Sequence, residues 1–414
     1  DIIADDNKFD KAGPRAGLIA AAMLALTGVW YGGMFNHTKD VTFAAAMIGA
    51  TFMLLRLARD LPRPRFADVA FFGLLLGAAL GLRALGLLLL LHIAATVLLE
   101  ASNRRLSSTG ARALFVCRSL VALSPGLLIG YLLMIAAWPW ASLDLFNPVR
   151  AIFAFSHFQY PIKTLLAGHV YEMSTVPRWY VPAYFLIKLP LILWAGLALA
   201  LVFAASSRLS QSTLQPRARR EIGLVAFLAA FPLLCHVASH GPAFSGLRHF
   251  LFVVPLLAVL AGVGCNALLT QLARWRPAVA IAAAMAIVAP LSWTTVILAR
   301  LHPHEYLFFN ELVGGLEGAS GRYDTDYWVN IMPEAMHALE SHIAYAEHTG
   351  RWTPPPFYTI GVCGDKVSFE HENALGPRLR RTEDWDNADF FIASTHMNCD
   401  LRGTGKVIVK IERL

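Results

Sequence analysis

Met34-Phe35-Asn36-His37-Thr38-Lys39-Asp40 is a short polar stretch between two apolar runs, residues 18–30 and 41–55. With its flanks, each run is long enough for a helix across a bilayer, which takes about 20 apolar residues. So short a loop cannot fold alone, and its side chains stand at the membrane–water boundary. An amide, an imidazole, an ammonium and a carboxylate crowded there are costly against lipid and useful if they line a cavity. A plain solvated turn is the alternative.

The wider composition agrees with a membrane setting. The chain has 414 residues, 56% hydrophobic and 15% charged, with a mean hydropathy of +0.52. A soluble domain is nearer half apolar and about a quarter charged. The apolar residues come in blocks separated by basic loops, the pattern of a polytopic α-helical membrane protein. The net charge is +7, but the basic residues are spread over short loops and form no patch suited to nucleic acid. Residue 1 is Asp and the first span starts near Gly17, without a signal peptide. Residues 1–11 do not read as a native start, and a further N-terminal piece is expected. Five cysteines are too few for a disulfide scaffold, and no pair has metal-ligand spacing. Cys117, Cys235 and Cys265 lie in or beside spans as packing residues. Cys363 and Cys399 lie in the tail and could pair if it faces an oxidising compartment.

About nine hydrophobic segments are expected, at residues 17–33, 41–58, 67–82, 84–100, 119–138, 185–205, 222–239, 250–270 and 277–298. The third and fourth read as a tight helical hairpin that need not cross fully. One set of loops carries Arg56, Arg59, Arg63 and Arg65, then Arg104, Arg105 and Arg112, then Arg208, Arg217, Arg219 and Arg220, then Arg274 and Arg276. The alternate set carries Lys39, then Arg150, Lys163 and Arg178 spread over a long loop at 139–184, then Arg248. The positive-inside rule places the first set in the cytoplasm. The stretch at 34–40, the long loop, residues 239–249 and the tail after Arg300 then share the outer side. The long loop is dense in aromatics and proline. It reads either as an interfacial anchor or as a cavity wall in which His157, Lys163, His169, Glu172 and Arg178 present charge. Arg248-His249 directly precedes an apolar span. It reads as snorkelling or as a cation pair at headgroup depth, suited to a phosphate. Arg83 lies inside an apolar hairpin, where an arginine is a functional candidate by default.

Residues 1–300 therefore form a transmembrane domain and residues 301–414 a small α/β domain. In the latter, residues 333–348 read as a helix, with Pro333 in the first turn and Gly350 past the end. Residues 357–363, 390–393 and 406–411 read as strands. Asp324 and Asp326 are spaced to hold a divalent cation, a weak signal by itself. No P-loop and no nucleophile elbow occur.

Several stretches now coincide in order. Gly13-Pro-Arg-Ala-Gly17 leads into the span that ends at residues 30–40. Gly81-Leu-Arg-Ala-Leu-Gly86 follows Pro62-Arg-Pro64. Pro177-Arg-Trp-Tyr-Val-Pro182 precedes Ile187-Lys-Leu-Pro190. Gly246-Leu-Arg-His-Phe-Leu-Phe252 precedes Pro255. His302-Pro-His-Glu-Tyr-Leu-Phe-Phe-Asn310 precedes Gly321-Arg-Tyr-Asp-Thr-Asp-Tyr-Trp328. Over nearly the whole chain this resembles bacterial membrane glycosyltransferases of family 39. Those are relatives of the protein O-mannosyltransferases and of the aminoarabinose transferase that modifies lipid A, with the C-type glycosyltransferase fold. The resemblance implies an enzyme of the bacterial inner membrane with a periplasmic C-terminal domain. It implies a polyprenyl-phosphate sugar as donor, no nucleotide sugar, and transfer with inversion to a lipid, glycan or protein acceptor; no cofactor is expected, with a divalent cation as the open alternative. It also implies a key acidic residue, the main catalytic acid, on a loop between two spans that precede Gly13; those spans are expected in the further N-terminal piece, and Asp5, Asp6 and Asp10 lack the apolar flanks that would place them on that loop. Asp40 stands at the second position where such enzymes often carry an acid, as a catalytic residue that orients the acceptor or balances a cation. His37, Lys39, Arg83, Lys163, Glu172, Arg248 and His249 are the expected substrate-binding set. The rival from another class is a non-catalytic subunit of a larger membrane complex. A secondary transporter is disfavoured, since no paired broken helices are expected in matching halves.

Overall fold

The computed structural model describes residues 13–413 except 37, 105, 107, 145, 157–161, 207–215, 242, 352 and 365. The chain is mostly helical. In order, the first half carries α1 Gly13–Ala25, α2 Gly28–Tyr31, α3 Gly33–Asn36, α4 Asp40–Asp60, α5 Phe66–Leu82, α6 Leu88–Asn103, α7 Thr109–Ala137 and α8 Asn147–Ser156. The hairpin β1 Lys163–Leu166 and β2 His169–Glu172 follows, then α9 Tyr180–Lys188, α10 Leu191–Ala205, α11 Pro216–Ser239, α12 Val254–Trp275 and α13 Pro277–Leu301.

Among the described residues, six helical stretches are long and apolar enough to cross a membrane: Asp40–Asp60, Ala84–Asn103, Thr109–Ala137, Arg217–Ser239, Arg248–Trp275 and Pro277–Leu301. Two bent pairs bring the number to as many as eight, the first bent by 70° between α1 and residues 28–36, the second by 109° between α9 and α10. The protein is a polytopic helical membrane protein. The stretch Arg248–Trp275 is 78% buried, against 17% for Pro277–Leu301, so α12 is the axis of the bundle and α13 lies at its rim. Val121, Leu128, Ile281, Met285 and Val288 stand exposed on the rim helices, as lipid contact permits and water does not. Several expected spans differ at their ends. The span expected at 119–138 starts at Thr109, and the one expected at 185–205 is broken at Leu189-Pro190. The short α5 is held against α7 by Gly73 and Gly126. A Cβ on Gly73 would stand 2.5 Å from the Gly126 carbonyl, the close approach on which helices in lipid rely.

The break between α9 and α10 leaves helix-end carbonyls that nothing in hydrocarbon could satisfy. Asn310 closes them. Its side-chain amide donates to Leu186 O at 2.6 Å and Leu189 O at 2.8 Å, and its backbone N–H donates to Ile187 O at 2.9 Å. Lys188, buried at the same break, donates to Tyr306 O at 3.0 Å and lies 3.6 Å from the centre of the Phe309 ring. The segment after α13 is thus a plug for a broken span.

The C-terminal part has a core of its own, including Val329, Met332, Met336, Leu339, Ile343, Ile360, Val362 and Phe369. A helix α14 (Met332–His348) packs on a parallel sheet of β3 Tyr358–Cys363, β4 Leu379–Thr382 and β5 Phe390–Ala393, in the order β4-β3-β5. Cys363 and Cys399 form a disulfide, with Cα atoms 5.8 Å apart. The helix and the strands expected near 357–363 and 390–393 are present. The strand expected at 406–411 is not. Among the described residues that run joins no strand, with Val407 largely exposed, and the short charged segment β4 pairs with β3 instead.

Two outcomes are expected. Asn310→Ala strands buried carbonyls at about 1–3 kcal/mol each, so its melting midpoint in detergent falls well below that of the wild type. A thiol-directed mass tag on the denatured, unreduced protein adds to Cys117, Cys235 and Cys265 only, and reduction adds Cys363 and Cys399.

Candidate functional site

Three residues far apart in sequence meet at one end of the bundle. Asp40 is the first residue of α4, Arg83 follows α5 in extended backbone, and Arg248 opens the 3₁₀ turn Arg248–Val253 that leads into α12. Arg83 Nη2 donates to Asp40 Oδ1, and Arg248 Nε donates to Asp40 Oδ2 at 2.7 Å. Arg83 Nη1 lies 3.0 Å from His249 Nδ1. A guanidinium can only donate, so that nitrogen accepts and the ring is neutral. The Arg248 guanidinium lies 4.8 Å from the centre of the Trp328 ring. The opposite end is marked by Arg56–Asp68 and Arg59–Glu221, both at 3.6 Å, and by Arg15 on Asn266 at 2.9 Å.

Exposure orders the cluster. The Asp40 side chain is 2% exposed, that of Arg83 16% and that of Arg248 24%. The carboxylate therefore sits behind the guanidiniums, and an arriving anion meets cations first. Two arginines against one carboxylate leave a net positive charge, and the N-terminal end of α4 adds to it. The indole under Arg248 fixes its plane. Such a site is built to receive a phosphate or carboxylate. Tyr327 adjoins it, and burial pushes its phenol well above the usual range, while Arg248 acts in the opposite direction.

The other expected residues fall elsewhere. Lys163 and Glu172 face each other at the open end of the β1–β2 hairpin, both exposed. Among the described residues, neither bonds to the Asp40 cluster. The hairpin was not expected from the sequence. Its signal is the Ala167-Gly168 turn, with φ of +51° and +85°, the conformation of tight two-residue hairpins. Lys39 is exposed beside Asp40, and His37 lies outside the described residues. His157 does too, while Arg178 donates to Ala238 O at 3.1 Å.

Asp324 and Asp326, offered by their spacing as cation ligands, are both engaged by protein donors. Asp324 accepts from Thr164 Oγ1 at 2.5 Å and Leu165 N at 3.2 Å. Its own N–H donates to Tyr184 OH at 2.9 Å, and the Tyr184 hydroxyl donates to Leu165 O at 2.8 Å. Tyr180 OH, 2.7 Å from Thr164 Oγ1, accepts from Gly246 N at 2.9 Å, two residues before Arg248. Asp326 accepts from Tyr306 OH at 2.6 Å and from the backbone of Asn330 and Ile331 at 3.2 Å. Among the described residues, no three of His, Cys, Asp and Glu gather to hold a metal. The Asp324 lattice instead ties the hairpin, α9 and the loop of Arg248 into one frame.

A cavity of about 520 Å³ opens near this frame, lined among others by Phe35, Asn36, His302, His304, Asn330 and Glu372. Its volume is in the range of small-ligand sites. Its wall residue Val329 directly follows Trp328. His302 and His304 were not expected as site residues from the sequence. Two histidines around a proline directly after a span were the available signal. In comparisons with known proteins, no family model matches the chain and no curated protein matches it.

Asp40→Asn leaves two guanidiniums without their counter-ion, and breaking a buried pair costs about 3–5 kcal/mol. Its thermal midpoint in detergent is therefore expected to fall clearly. Asp40→Asn combined with Arg248→Gln is expected to cost less than the two changes summed. A strictly additive double variant would contradict the clamp.

Proposed function

We propose that the protein is a membrane glycosyltransferase of the C-type fold, which moves a sugar from a polyprenyl-phosphate donor to an acceptor, with inversion. The observation that carries this reading is the pair Arg83 and Arg248, anchored by one buried carboxylate at the end of an apolar bundle. A lipid phosphate has its tail in hydrocarbon and its charge at the headgroup level, which is where cations of this kind are of use. Phosphate is also the leaving group. Two positioned guanidiniums stabilise the charge it gains as the bond to the anomeric carbon breaks.

In this reading Asp40 positions the arginines and does not take the acceptor proton, since both its oxygens are on guanidiniums. That selects cation balance among the roles expected for it. The disulfide suits an oxidising compartment. It favours the outer, periplasmic side of a bacterial inner membrane for the C-terminal domain, and with it for the Asp40 end of the bundle. The arginine-rich loops then face the cytoplasm. Membrane lipids surround the rim helices, and the acceptor is a lipid, glycan or protein hydroxyl. A second reading, a non-catalytic subunit of a membrane complex, draws on the same clamp, because a carboxylate engaged on both oxygens is also what a purely structural counter-ion looks like.

The test is transfer of label from radioactive polyprenyl-phosphate mannose by membranes carrying the protein, with binding of sugar-free polyprenyl phosphate measured beside it. Arg248→Ala is expected to lower the transfer rate by about 10²–10³-fold, the loss seen when a charge-stabilising donor is removed. A wild-type protein that neither binds the lipid phosphate nor transfers sugar would favour the structural subunit.

A further inference from the structure

We propose that the segment Lys406-Val-Ile-Val-Lys-Ile-Glu412 is a docking strand for the same segment of a second copy of this chain, paired antiparallel about Val409. The pairing does not depend on the glycosyltransferase reading.

Val407, Ile408 and Val409 are 73%, 43% and 44% exposed, and all three are β-branched and apolar. Among the described residues, the backbone of 406–412 forms no backbone hydrogen bond and joins no strand. An exposed apolar run with free strand edges is a liability in water unless a partner covers it. Lipid is not that partner, because unpaired backbone groups do not enter hydrocarbon. Both ends of the segment are held. Before it, Cys399 is tied to Cys363 at the end of β3. Gly403 then lies against Phe391, where a Cβ would stand 3.1 Å from the ring. After it, Arg413 is bonded to Glu334 in the first turn of α14. A segment tethered at both ends loses less freedom on pairing than a loose one.

The order of the residues selects the occupant. In a strand, 407, 409 and 411 share one face, and 406, 408, 410 and 412 share the other. An antiparallel pair centred on Val409 sets Lys406 opposite Glu412 at both ends and Val407 opposite Ile411. Val409 then meets Val409 on the twofold axis. Opposite charges and β-branched side chains facing across strands are both favourable. An in-register parallel pair would instead set Lys406 against Lys406 and Lys410 against Lys410, which is unfavourable. In the single chain Glu412 is bonded to Lys410, and both are exposed. Ion pairs of that kind contribute little, so Glu412 changes partner at low cost. The self-complementary register makes an isologous contact, which closes as a dimer. The contact is smaller than a stable interface in solution needs. It therefore forms in the membrane, where two copies are confined to one plane at raised effective concentration.

The experiment is copper-catalysed oxidation of the full chain in native membranes, with Cys117 and Cys235 replaced by serine and single cysteines placed on the segment. Val409→Cys is expected to give a covalent dimer, since directly opposed residues lie within disulfide reach. Val407→Cys alone is expected to stay monomeric, because its two copies stand about 13 Å apart along the pair in this register. Mixed with Ile411→Cys it is expected to give the dimer. Lys406→Glu in the Val409→Cys background turns both Lys–Glu pairs repulsive and is expected to lower the dimer yield about tenfold. Adding Glu412→Lys to that variant is expected to restore it. Three results would each overturn the proposal. One is no dimer from Val409→Cys. Another is equal yields at 407 and 409, the mark of random collision. The third is a yield indifferent to the charge exchange. A link within one chain between Val409→Cys and Phe391→Cys, without dimer, would show that the segment completes its own sheet and would overturn it too.

Discussion

A carboxylate that leaves water must take positive charge with it. Asp40 starts a membrane helix and is almost wholly buried, and the ends of two other helices are bent to meet that demand. Arg83 stands where α5 ends in extended backbone, and Arg248 stands where a 3₁₀ turn leads into α12. The cost of removing these charges from water is met only because all three come together. The three helix ends are thereby fixed relative to one another, and the excess of cation over anion is presented outward.

The rest of the structure serves to keep that end in register. The segment after α13 inserts Asn310 and the Tyr306 carbonyl into the break beside Lys188. The Asp324 lattice joins the hairpin to α9 and to the backbone of Gly246. The first device satisfies carbonyls that a broken helix in hydrocarbon would otherwise leave bare, and the second satisfies backbone groups of the hairpin and of the loop before Arg248. A short, irregular stretch can then lie at membrane depth, and irregular stretches are where side chains can be aimed at a ligand.

Much of this could be read from the sequence, for a physical reason. A charged side chain next to an apolar run has few acceptable environments, which is why Asp40, Arg83, Arg248 and His249 were legible as a group before their contacts were known. Apolar runs likewise announced the helices, and the proline and glycine around residues 333–350 announced α14. What was not legible depends on partners distant in the chain. Nothing local in Lys163 or Glu172 says that they face each other across a hairpin. Nothing in Asn310 says that it caps a helix some 120 positions earlier. The alternating residues at 406–411 have a strand pattern, but a strand forms only where a partner pairs with it, and the sheet is built from β4, β3 and β5. The Asp-x-Asp spacing suggested a cation, but spacing does not show which donors already surround the carboxylates.

The proposed transfer requires the arginine pair to grip the phosphate of a lipid. The most direct measurement is the ³¹P resonance of sugar-free polyprenyl phosphate in nanodiscs, with the wild type and with an Arg83→Met/Arg248→Met double variant that still folds. A saturable shift and broadening is expected with the wild type and the free-lipid spectrum with the double variant. The same shift in both proteins would show that the phosphate is held elsewhere.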